Sequence, residues 1–362
     1  MHIHEKQRRM VSFGAATICT KLVSTSPNFL KPELVCPAGN LPALKAAVDA
    51  GGDTVYMGFR NASNARNFEG LNFNRDEAEA GIAYAHDHGA RVFVAVNTSP
   101  GIYDASAWTS SIDMASELGA DAIILSDMAL LGYAKERHPR LRRHLSVQAS
   151  ACNHESLNFY AREFGIRRAV MPRVLTLDAI RDIGSRTSVE IEIFVSGGLC
   201  VMAEGRCWLS SYVTGDSPNM RGVCSPAHAV RFEEQEGTLE VKLDGVLVNR
   251  FAPDAPAAYP TLCKGRFEAC GMEGHVMEDP YSLNALDMLP QIFDAGIAGL
   301  KIEGRQRGKH YVREVVATWR AAVDACAADP ENYTARPEWM ARLDATSEGG
   351  DHTAGAYVDE WR

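Results

Sequence analysis

The chain has 362 residues, 46% of them apolar and 23% charged, which is ordinary globular usage and enough to bury a sizeable core in one large domain or two smaller ones. A net charge of −9 and a pI near 5.7 set it against phosphate backbones, so nucleic acid is a disfavoured partner. No apolar run reaches the roughly 18 residues that a bilayer-spanning helix requires.

Residues 1–32 carry His2, His4, Lys6, Arg8, Arg9, Lys21 and Lys31 against the single acid Glu5. The apolar segment from Val11 to Ile18 is broken by Ser12 and Gly14 and is too short for a secretory signal. This stretch reads as a disordered extension or an over-called start, with Met10 an alternative initiator, and a cytoplasmic protein is expected. Nine cysteines in such a chain are an odd count, which argues against a disulfide framework and points to metal or redox work for some of them.

From residue 33 onward one unit repeats. A helical segment ends at glycine and an apolar strand begins about two residues later: Gly51 before 53–57, Gly89 before 91–96, Gly119 before 121–125, Gly165 before 167–171 and Gly296 before 299–302. Glycine past a helix supplies the left-handed residue that closes it, and short continuous apolar strands read as parallel and buried on both faces. Strands at 33–36, 145–148 and 190–195 bring the total to eight, with helical patterns between them at Leu41–Ala50, Arg75–His88 and Trp108–Leu118. The predicted fold is α/β, a (β/α)8 TIM-like barrel with a large cysteine-bearing insertion between strands seven and eight; a doubly wound open sheet is the alternative. The expected organisation is an extension at 1–32, seven βα units at 33–195, the insertion at 196–290, and the last strand, C-terminal helix and tail at 291–362. Within the insertion a hairpin is expected over 229–234 and 239–243, with Asp244-Gly245 turning into 246–251.

Residues just past each strand should ring the barrel mouth, where barrels do their chemistry: Pro37, Ala38, Gly58, Arg60, Asn97, Ser126, Asp127, Gln148, Pro172, Arg173, Ser196, Gly197, Glu303, Gly304 and Arg305. Alternation places Lys301 and Glu303 on one side of the last strand. If that side is the interior, a buried and therefore positioned charge pair is implied; if it faces solvent, the pair is worth little. Arg305 could hold a carboxylate in bidentate fashion.

Cys200, Cys207, Cys224 and Cys263 lie on turn-rich segments beside Gly197, Gly198, Gly205, Gly222 and Gly265. Four thiolates can complete a cubane or a tetrahedral zinc site, and this spacing favours neither. Cys36 could sit in the mouth, whereas Cys152 and Cys270 read as small buried hydrophobes, with Cys270 a substitute ligand. No H-E-x-x-H, G-x-S-x-G, P-loop or post-strand G-x-G-x-x-G occurs, so zincins, serine hydrolases, NTPases and dinucleotide-dependent reductases find little support.

The run from Glu192 to Ser210 (EIFVSGGLCVMAEGRCWLS) resembles the signature of the peptidase U32 family, departing at Gly198, where the family usually has Ser or Ala. Glu33–Asn40, Asp53–Gly58, Ser146-Val147-Gln148 and Lys301–Arg305 agree, so the likeness covers about 33–360. Asn64–Phe73 and Tyr259–Arg266 resemble the branch of the family that serves ubiquinone biosynthesis. This resemblance implies a [4Fe–4S] cluster on Cys200, Cys207, Cys224 and Cys263. It implies an O2-independent hydroxylase of polyprenylated quinone precursors, active as a heterodimer with a UbiV-like subunit, and prephenate as a possible oxygen donor. Arg66, Arg173 and Arg305 are the candidates for the donor's two carboxylates, with Lys301 and Glu303 beside them. Other branches of the family imply hydroxylation of transfer or ribosomal RNA bases, or a collagenase-like peptidase.

Overall fold

A computed structural model describes residues 31–101, 104–255, 257–347 and 351–358; the reading of 1–32 as a disordered extension falls, but for its last two residues, outside them. In chain order the first strands are β1 (Glu33–Pro37), β2 (Thr54–Met57), β3 (Arg91–Val96), β4 (Ala122–Leu125), β5 (Arg142–Leu145), β6 (Arg168–Val170) and β7 (Glu190–Gly198). Between them run α1 (Leu41–Asp49), α2 (Arg75–Asp87), α3 (Ser106–Glu117), α4 (Met128–Arg137), α5 (His154–Phe164) and α6 (Leu177–Ser185). Their ends are written locally. Asn40, Asp127, Asn153 and Thr176 cap helix N-termini with side-chain oxygens, and Asn74 with Glu77 forms a full capping box. The five glycines expected to stop helices, Gly51, Gly89, Gly119, Gly165 and Gly296, all have positive φ.

After β7 come two short helices, α7 (Leu209–Thr214) and α8 (Pro218–Arg221), and a three-stranded antiparallel sheet of β8 (Val230–Gln235), β9 (Thr238–Leu243) and β10 (Val246–Phe251). Glu236-Gly237 and Asp244-Gly245 make its turns, all four residues with positive φ, as two-residue hairpin loops require. A small hairpin, β11 (Phe267–Ala269) and β12 (Met272–Gly274), follows. The chain then returns to the main sheet as β13 (Ser282–Asn284), antiparallel to the end of β7. Next come α9 (Leu289–Asp294), β14 (Gly299–Ile302) and α10 (Lys309–Ala328), whose Trp319 is fully buried against the barrel.

Strands β1 to β7 pair in parallel in sequence order, and β14 pairs in parallel with both β7 and β1, closing an eight-stranded barrel. The TIM-like expectation therefore holds, and the open-sheet alternative does not. One strand is corrected: β5 is Arg142–Leu145, while Val147–Ala149 forms a 3-10 turn capped by Ser146. Its polar start, Arg142-Arg143-His144, hid it, because part of this barrel's interior is ionic. One layer inside is apolar, built from Val35, Tyr56, Phe93, Ala95, Ala122 and Ile124. Toward the strand N-termini, Arg168 pairs with Glu33 at 2.7 Å, Glu190 at 2.9 Å and Glu192 at 3.3 Å, with His144 buried beside them. Charge at this depth is tolerable only because each group is paired.

Among the described residues no helix is long and apolar enough to cross a membrane.

Candidate functional site

The C-terminal end of the barrel opens into a cavity of about 740 Å³. The barrel supplies its floor through Tyr56, Ile124, Phe194, Lys301, Glu303 and Arg305; the chain after β7 supplies its roof, including Cys200, Cys207, Cys224 and Tyr259. Of the strand-end residues expected at the mouth, Asn97, Gln148, Arg173, Glu303 and Arg305 line this cavity. Others are diverted. Asp127 caps α4, Arg60 pairs with Glu77 at 2.9 Å, and Ser196, Gly197 and Gly304 line a smaller cavity of about 80 Å³ behind Glu303.

The side shared by Lys301 and Glu303 is the interior one, but the two do not pair with each other. Lys301 bonds Glu192 at 2.7 Å and stands 3.9 Å from the centre of the Tyr56 ring. Glu303 instead receives Arg66 at 3.0 Å and Arg173 at 2.5 Å. Two residues apart on a strand is about 7 Å, so each reaches a different layer. Burial pushes the Glu303 carboxyl up, but Arg173 and Arg66 outweigh it and hold it at about 2. Gly197, with φ of +122, lies against Glu303, and a Cβ there would stand 2.5 Å from the Glu303 Cβ. Gly198 is less demanding: an added Cβ would meet Glu303 Oε2 at an ordinary 3.6 Å, so the Ser or Ala usual in the family would fit.

Arg66 and Arg173 tie the cysteine segments to this floor. Arg66 donates to the carbonyl of Gly222, two residues before Cys224. Arg173 donates to the carbonyl of Gly198, two residues before Cys200, and pairs with Glu204 at 2.7 Å. Ser150 donates to the carbonyl of Glu204, and a Cβ at Gly205 would strike the Gln148 carbonyl, so the approach to Cys207 packs tightly on the barrel rim.

Cys200, Cys207 and Cys224 line the same cavity; Cys224 lies within electrostatic reach of the other three thiols, and Cys263 also of Cys207. Burial pushes Cys200 and Cys263 up to about 12 and raises Cys224. A cation opposes that rise at each of the three: Arg173 at Cys200, Arg66 at Cys224, Lys264 at Cys263. None of the eight described cysteines is in a disulfide. Among the described residues, no group of three or more His, Cys, Asp and Glu side chains is drawn close enough for a single metal ion. A cubane interposes iron and sulfide between its thiolates, so its ligands stand wider apart than those of one ion. The cationic surround suits the negative charge such a centre carries with four thiolates.

The remaining cysteines are corrected. Cys36 is fully buried in the layer between strands and helices and does not reach the mouth. Cys152 is half-buried, and Cys270 is exposed in the β11–β12 turn, so neither behaves as a core hydrophobe. Sequence reasoning missed Glu192, Glu204, Asn64 and Asn72, all buried, which hold the site's cations. Asn64 and Asn72 accept from Arg305, Asn72 at 2.8 Å. No local pattern marks them; only the fold brings them to Arg305.

The structure is thus a closed parallel α/β barrel with a cysteine-roofed cavity at its strand C-termini, the face on which such barrels commonly carry their sites. The family model for peptidase family U32 matches residues 39–360, and the chain belongs to that family. It is 33% identical over 317 residues to tRNA hydroxylation protein P of Escherichia coli (strain K12), spanning 82% of this chain and 69% of that one. It is 30% identical over 325 residues to tRNA hydroxylation protein P1 of Bacillus subtilis (strain 168), spanning 90% and 70%. A collagenase of Porphyromonas gingivalis is 27% identical over 343 residues, spanning 91% and 75%.

Proposed function

We propose that this chain is the [4Fe–4S] subunit of a hydroxylase that acts without O2 on the ring of a polyprenylated ubiquinone precursor, in a heterodimer with a UbiV-like subunit. The observation that carries the reading is that Cys200, Cys207 and Cys224 line one cavity walled by aromatic rings, with Cys263 within electrostatic reach of Cys207 and Cys224 and a cation beside Cys200, Cys224 and Cys263. Cys200, Cys207, Cys224 and Cys263 would hold the cluster, which supplies one-electron chemistry when bound. The protein's own groups do the rest. Tyr56, Phe68, Phe194 and Tyr259 offer flat surfaces to a ring. The likeness of 64–73 and 259–266 to the ubiquinone branch, and the net charge of −9, favour a quinone precursor.

An oxygen donor such as prephenate carries carboxylates and would want a free cation. Of the three candidates, Arg66 and Arg173 are already held by Glu303 and Glu204, so Arg305 is the guanidinium we assign to it. A second reading, hydroxylation of a tRNA base, is favoured by the names of the relatives. A peptidase finds less support, because no histidine among the described residues lines the cavity to serve a nucleophile.

Two measurements test the proposal. Anoxic reconstitution should load four irons and four sulfides and give the broad visible charge-transfer band of an iron–sulfur centre, and Cys224→Ser should lose it. Deleting the gene should make quinone precursors accumulate under anaerobic growth only. Normal quinone with missing tRNA hydroxylation would transfer the assignment to the second reading, and failure to take up iron would end both.

A further inference from the structure

We propose that Glu303 is a positioning residue for the cluster: through Arg66 and Arg173 it fixes where the segments bearing Cys224 and Cys200 stand. The inference rests on the cluster reading above. Glu303 is the one acid among the described residues that both arginines share, and each arginine reaches past it to a backbone carbonyl two residues before a cysteine. The two cysteines are far apart in sequence and lie on separate loops. Glu303 itself is immobilised: its backbone N–H donates to the Ser196 carbonyl at 2.9 Å, and Tyr311 donates to its carbonyl at 3.4 Å. The last barrel strand thus delivers one rigid carboxylate to the place where two cysteine loops are fastened.

The fold makes room for this arrangement. Gly197 takes a backbone conformation that L residues rarely adopt, directly against Glu303, and Gly222 packs so closely that a Cβ would meet the Ala65 Cβ. The three charged groups form a chain, Cys224 loop–Arg66–Glu303–Arg173–Cys200 loop, in which no link reaches a thiol except through an arginine. Removing the carboxylate therefore has two consequences. The arginines lose their common anchor, so both loops gain freedom. The arginines also keep their positive charge without the neighbouring negative one, so a cluster beside them becomes easier to reduce.

The test uses full-length protein, reconstituted anoxically, with wild type, Glu303→Gln, Glu303→Asp and, as a stability control, Arg168→Met at the far end of the barrel. Wild type should take up the cluster; if it does not, the cluster reading fails and not this inference alone. Glu303→Gln should release iron to a chelator about tenfold faster or more, shift the electron paramagnetic resonance spectrum of the reduced cluster, and raise its midpoint potential. Glu303→Asp keeps the charge but is one methylene too short to reach both arginines, and should recover the potential more than the retention. Arg168→Met should lower stability without altering the spectrum or the potential. If Glu303→Gln holds its iron as wild type does, with the same spectrum and potential, Glu303 has no positioning role. If Arg168→Met shifts the spectrum as much, the effect is a general consequence of lost stability and the inference is overturned.

Discussion

Arg305 differs from Arg66 and Arg173, which line the same cavity, in having no acid partner among the described residues. It is 4% exposed, its Nη2 donates to the amide oxygens of Asn64 and Asn72, and its Nε has no partner among the described residues. Burial pushes its pKa down to about 10, and Arg66 adds to the fall while Tyr56 opposes it. Neutral amides orient the guanidinium without neutralising it, which is costly unless a ligand anion completes the site. Arg305→Gln should therefore weaken binding of an organic carboxylate such as phenylpyruvate by about tenfold or more, because a charge-assisted pair contributes roughly 1.5–3 kcal/mol. Calorimetric titration of wild type and variant checks this. Equal affinity in the two proteins would assign the carboxylate elsewhere. Arg305 was visible in the sequence as a polar residue past the last strand, and so were Arg173 and Glu303. The acids and amides that sort these cations into neutralised and available were not, since Glu204, Asn64 and Asn72 meet them only across the folded barrel.

At the scale of the strand, β14 shows why alternation was a sound guide to direction and a poor guide to partners. Lys301 and Glu303 share one side as expected, and that side is the interior, but the barrel's depth gives each its own layer. Lys301 is pulled down by burial, and Glu192 opposes that fall; Glu192 itself is lowered, because Lys301 and Arg168 outweigh its burial. Breaking such a pair leaves an uncompensated buried charge, at a cost of about 3–5 kcal/mol. Lys301→Met should be destabilised on that scale in urea unfolding. The double variant Lys301→Met/Glu192→Leu should regain much of the loss, since apolar packing often replaces a buried ion pair without penalty. A double variant as unstable as the sum of both singles would show that the pair does not act as a unit. The same ionic interior explains the misplaced fifth strand. Arg142 and His144 belong to a barrel wall, where a reader of hydrophobic runs looks for Val and Ile.

Over the whole molecule, charge is distributed against its average. The chain is acidic, yet cations crowd the cavity and the barrel axis, and Arg66, Arg168, Arg173 and Lys301 are each stabilised by a carboxylate that must stay ionised. The glycine-stopped repeat made the barrel legible because it is local chemistry repeated in every unit. The cysteines were legible only through family likeness, since their spacing left zinc and iron open and the loops bringing them together carry no regular pattern. The carboxylates have a consequence that belongs to the fold as a unit. Glu190, Glu192 and Glu303 are all lowered from the usual glutamate value, Glu303 to about 2. A carboxyl lowered on folding contributes stability that is complete above its unfolded value and is lost as pH falls toward its folded one. Glu33 works the other way, because burial raises it, and offsets part of the effect. The sum is dominated by the lowered groups, so unfolding free energy should hold steady from neutrality to about pH 5 and fall steeply from there to about pH 3. Urea titrations across that range check the slope, and Glu303→Gln should flatten it. A profile that stays level through about pH 3 would mean that these buried pairs persist protonated or are already satisfied in the unfolded chain.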